Sequence, residues 1–160
     1  MTAAVVGCVK PLAIGFAIAL ALGAAREPAA AMCMLHATPL DFGVVGARIV
    51  PSFAEVATIS YRCTTRMPMG IRIMLPHPPS GDARVRTMHN GKHQLEYEVT
   101  LDPTGHEPWG DGTGGTKVYS DAHPPINQTV TVRAYAHIFP GQAAPAPGTY
   151  SDSIMVISQF

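Results

Sequence analysis

Residues Gly148–Phe160 read GTYSDSIMVISQF. Pro147-Gly148-Thr149 is a turn signal, and the residues from Tyr150 onward form an extended run. In a strand of period two, Ile154, Val156 and Phe160 share one face and Met155 and Ile157 the other, while Ser158 stands where the alternation calls for an apolar residue. A strand that is apolar on both faces needs cover on both. An exposed apolar edge is in turn a template for pairing with another chain. Two arrangements meet that need: a strand in mid-sheet of a complete sandwich, or an edge strand whose outer side is filled by a second polypeptide. The residues alone leave both open.

The same period-two alternation runs back through the chain. ATISYRC sets Ala57, Ile59, Tyr61 and Cys63 on one face and Thr58, Ser60 and Arg62 on the other. IRIML aligns Ile71, Ile73 and Leu75. LEYEVTL turns Leu95, Tyr97, Val99 and Leu101 inward and Glu96, Glu98 and Thr100 outward, and VTVRAYAHI aligns Val130, Val132, Ala134, Ala136 and Ile138. Each is the pattern of a half-buried strand, one face to a core and one to water. Asn90-Gly91 between two such runs predicts a tight hairpin with both residues at its centre. Pro76–Gly81 and Pro140–Gly148 read as loops. With 15 glycines and 15 prolines in 160 residues, and no helical apolar period outside the N-terminal segment, the chain reads as an all-β sandwich of short strands.

Lys10, the apolar run Leu12–Gly23 and the small residues Gly23, Ala24 and Ala25 have the layout of a secretory signal. The apolar run is shorter than the roughly 20 residues of a membrane span. Residues 1–25 are therefore expected to be a signal peptide cut after Ala25, with Ala31 as the alternative site, and 26–160 the mature domain. Cys8 leaves with the signal. Cys33 and Cys63 remain as an even pair in an oxidising compartment, so a disulfide between them is expected.

A formal net charge of zero gives no electrostatic ground for binding nucleic acid. Catalysis finds no support: no Gly-x-Ser-x-Gly elbow occurs, and Asp82, Asp102, Asp121, Glu96 and Glu98 show no paired spacing. His89-x3-His93 brackets the hairpin without a third ligand nearby, so no metal site is expected. The other five histidines read as solvated, and no cofactor is implied. In HEPWGDGTGGT the glycines suit positive φ, Asp111 suits a bond to its own turn, and Trp109 suits the end of a core.

Taken together and in order, CMLHATPLDFG, ATISYRCTT, WGDGTGGT and PGTYSDSIMVISQF resemble the spore coat protein U domain, shared with subunits of archaic chaperone–usher pili. The loop Trp109, Gly110, Asp111, Gly112 and Thr113 carries the central part of the resemblance. It implies an incomplete immunoglobulin-like sandwich that lacks its final strand. It also implies three partners: a periplasmic chaperone that lends a strand during export, an outer-membrane usher, and a neighbouring pilus subunit whose arm later replaces the chaperone's strand. Ile154, Val156 and Phe160 would line the acceptor groove. The protein would pass through the periplasm to the surface, in a pilus or a coat, and serve attachment or biofilm formation.

One departure stands out. Arg26–Met32, REPAAAM, spans at most about 25 Å, and its Pro28 cannot donate a ladder hydrogen bond. The chain is thus expected to accept a strand but not to give one, as at a fibre tip. The alternative is a complete ligand-binding sandwich that uses loop tips such as Trp109–Thr116 to hold a sugar or another surface ligand.

Overall fold

The structure, a computed structural model, describes residues 6–7, 32–42, 44–45, 54–78, 81–142 and 146–160. The expected signal peptide and its two cleavage sites lie outside the described residues except for Val6 and Gly7. Of the short arm before Cys33, only Met32 is described.

Every described element is a strand: β1 (Val6–Gly7), β2 (Cys33–Ala37), β3 (Val44–Val45), β4 (Ala54–Cys63), β5 (Ile71–Met74), β6 (Arg86–Asn90), β7 (His93–Thr100), β8 (Tyr119–Asp121), β9 (Thr129–Ile138), β10 (Gly148–Thr149) and β11 (Val156–Gln159). They form a five-stranded sheet, β2-β4-β9-β7-β6, a four-stranded sheet, β1-β11-β5-β8, and a small β10-β3 pair. The fold is an all-β, immunoglobulin-like sandwich. None of its described elements is a helix long and apolar enough to cross a membrane.

The alternation read from the sequence builds the core. Ile59, Tyr61, Leu95, Tyr97, Val132 and Ala136 from the larger sheet join Ile71, Ile73 and Val156 from the smaller in one buried cluster. Burial of this kind contributes about 25 cal/mol per Å² of apolar surface. Cys33 and Cys63 are directly opposed in the β2–β4 register and are joined by a disulfide, Cα atoms 4.0 Å apart. The bond ties edge strand β2 to the buried face of its neighbour.

Two local expectations need correction. The β6–β7 register pairs Asn90 with His93, so the turn's central residues are Gly91 and Lys92, not Asn90 and Gly91. Only Gly91 of the two has positive φ, 58°, which is the demand of a type II′ turn rather than a type I′ turn. Glu98 and Thr100 do point away from the sandwich, but both are buried. After Leu101 the chain folds back over them, held by Leu101 N–H to Glu107 O at 2.9 Å and Trp109 N–H to Val99 O at 2.7 Å.

Candidate functional site

The last strand is reached by a change of sheet. Ser151 makes a two-way backbone bridge with His89 on the edge of β6, at 2.8 and 3.0 Å. The Tyr97 hydroxyl then donates to Asp152 Oδ2 at 2.8 Å. Buried Arg86, paired with Tyr97 in register, donates from Nη2 to Pro76 O at 3.1 Å. Burial foremost, with the nearby Asp152 charge, pushes the Tyr97 phenol well above its usual range. This anchor fixes residues 150–152 beside the larger sheet, and four residues later the chain joins the smaller one.

There β11 pairs antiparallel with β5, Ile157 opposite Met74, Ser158 opposite Ile73 and Gln159 opposite Arg72. Its other edge carries Val6 and Gly7 in parallel register, opposite Val156 and Ile157. That neighbour belongs to the segment expected to be a leader. Within β11, Val156 is 3% exposed and Ser158 9%, whereas Met155, just before it, is 55% exposed. Ile154 is half-buried against the core just before the strand. Phe160 lies just beyond it at 36% exposure. The inward row is thus Ile154, Val156 and Ser158, with Phe160 at its open end.

The Trp109 loop is built into the sandwich. Trp109 is 1% exposed, and its indole N–H donates to Ile73 O at 3.0 Å. Gly110 accepts from Leu75 N–H at 3.1 Å and donates to Lys117 O at 2.9 Å, and a Cβ on it would collide with the Thr116 side chain. Asp111 Oδ1 accepts from the Thr113 hydroxyl at 2.7 Å and backbone N–H at 2.9 Å. These bonds, the hydroxyl's first, hold the carboxyl below its usual range. Gly112 has φ 93°, a conformation that favours glycine. Trp109, with both ring faces buried, offers no stacking surface to a sugar.

The histidines separate as well. His89 faces Gln94 and His93 faces Asn90, so the two imidazoles lie on opposite faces of the hairpin. Among the described residues no group of three or more His, Cys, Asp or Glu could hold a metal. The sequence reading missed His137: it is half-buried, with Nε2 3.3 Å from the Thr100 hydroxyl, and sits opposite Glu98 in the β7–β9 register.

A family model for the Spore Coat Protein U domain matches residues 19–157. The chain belongs to that family. The match begins within the expected leader and stops at residue 157, halfway along β11. Spore Coat Protein U domains are structural subunits of the pilus or coat type, exported to the surface, and their known context is chaperone–usher assembly. Among curated proteins, no significant match to this Spore Coat Protein U chain is found.

Proposed function

We propose that this Spore Coat Protein U subunit is completed by a β-strand from a second polypeptide, laid along the outer edge of β11. The observation that carries this reading is the pairing of β11 among the described residues: β5 on one side, and on the other the two-residue β1 from the expected leader. Removal of the leader bares main-chain donors and acceptors beside buried Val156. Strand addition satisfies both the ladder and the apolar row. A periplasmic chaperone supplies the strand during export, the outer-membrane usher receives the complex, and a neighbouring subunit's strand takes its place. Arg26–Met32, short and bearing Pro28, would be a poor donor, which favours a position at the accepting end of an assembly, as at a tip. The role is structural and adhesive, not enzymatic. The test is the oligomeric state of the exported, processed chain: aggregation or mixed oligomers when alone, and a soluble 1:1 complex when coexpressed with the chaperone. A stable, cooperatively folding monomer without a partner contradicts the reading.

A further inference from the structure

The inward row of β11 is broken at one place. Along β5 and just past its end, Ile71, Ile73 and Leu75 form an unbroken buried row. The register puts Ser158 level with Ile73 and, extended by two residues, Val156 level with Leu75. Ser158 is smaller than Ile73 by an ethyl group. It keeps 9% exposure while Ile73 beside it keeps none, so the sandwich is less closed at Ser158 than one strand further in.

We propose that Ser158 is the specificity-determining residue of the acceptor edge, and that the incoming strand sets a large apolar side chain beside it. This rests on the strand-acceptor reading above. Protein interiors are packed to near-crystalline density, so an unfilled notch forfeits contacts all around its wall. Facing positions in a core interdigitate when large meets small. The level of Val156 is already wide and takes a small or β-branched neighbour. The level of Ser158 takes Leu, Met or Phe. The partner recognised is thus an extended segment of another chain whose inward residues step up in size by one level, moving along β11 from Val156 to Ser158.

The test extends the full chain beyond Phe160 with Asn-Gly and an alternating strand. A two-residue turn fixes register, so the fifth added residue faces Ser158. That guest residue is varied among Gly, Ala, Leu, Met and Phe, and the thermal midpoint of the exported protein is measured. The large guests are expected to raise the midpoint by about 5 °C over Gly or Ala. In Ser158→Val the advantage disappears, and in Ser158→Ala it persists. The same order of guests in the wild type and in Ser158→Val, or a preference for small guests, overturns the specificity role while leaving strand acceptance standing. If no guest raises the midpoint above that of an all-polar extension, strand acceptance fails and the specificity role with it.

Discussion

The Tyr97 hydroxyl donates to Asp152 at 2.8 Å and so ties the middle of β7 to the segment that launches β11. Arg86 is buried beside them, and the Asp152 charge offsets part of the burial that lowers its pKa. Removing Asp152 takes away both the acceptor of the Tyr97 hydroxyl and a nearby negative charge that favours the Arg86 cation, whereas removing the Tyr97 hydroxyl takes away only the donor. Asp152→Ala, which removes a charged acceptor, is therefore expected to cost about 2–3 kcal/mol, and Tyr97→Phe about 1 kcal/mol. Urea unfolding midpoints measure both. Equal effects would mean that the hydrogen bond alone, and not the Asp152 charge, sets the anchor.

The Cys33–Cys63 bond closes a loop with a sequence separation of 30. Replacing both cysteines by serine is expected to lower stability by about 3–4 kcal/mol in the chain-entropy model, read as a shift in urea midpoint. The increase in hydrogen exchange should be largest in β2, the edge strand the bond secures. A uniform increase across both sheets would contradict that local role.

Gly110 is held between Leu75 and Lys117 by backbone hydrogen bonds, with the Thr116 side chain in the way of any Cβ. Gly110→Ala is expected to cost about 1–3 kcal/mol through overpacking. The atoms in the way are Thr116 Oγ1, Cβ and Cγ2, all of which Thr116→Gly removes, so Gly110→Ala should cost less on a Thr116→Gly background than in the wild type, and thermal denaturation of the single and double variants checks it.

Much of this architecture was legible in the sequence. Strict alternation with one burial per pair of residues identified the inward faces of β4, β5, β7 and β9, because a half-buried sheet permits no other pattern. The disulfide followed from an even pair of cysteines after removal of a leader. What escaped was set by tertiary cover. Glu98 and Thr100 read as solvent-facing, since strand periodicity says nothing of a loop that folds back over the outer face. Trp109 could be placed at the end of a core, but its bond to Ile73 depends on a crossing between distant segments. The pairing of Val6–Gly7 with β11 joins opposite ends of the chain, and no local pattern encodes it.

The cover over Glu98 has a consequence for pH. Burial first, with a smaller like-charge effect from Asp102, raises the Glu98 carboxyl above its usual range, against opposing effects from Arg84 and His137. One carboxyl oxygen, Oε2, is buried without a hydrogen-bond partner among the described residues. A raised folded-state pKa means that folding favours the protonated form. Its stabilising contribution is present below the unfolded carboxyl's range and is lost as pH rises through the folded value. Glu98→Gln is accordingly expected to raise the thermal midpoint at neutral pH, with the gain shrinking as the solution is acidified. A gain that grows on acidification would reverse the assignment.

The central claim is that the outer edge of β11 is filled by another polypeptide. A photo-crosslinking residue in place of exposed Gln159, in the subunit exported by its native host, tests it most directly. The account predicts adducts to a second chain, first the chaperone and then an assembled neighbour, with the crosslinked peptide mapping to an extended segment of alternating apolar residues. Crosslinks that stay within the subunit's own processed chain, with none to a partner at any stage of assembly, would contradict it.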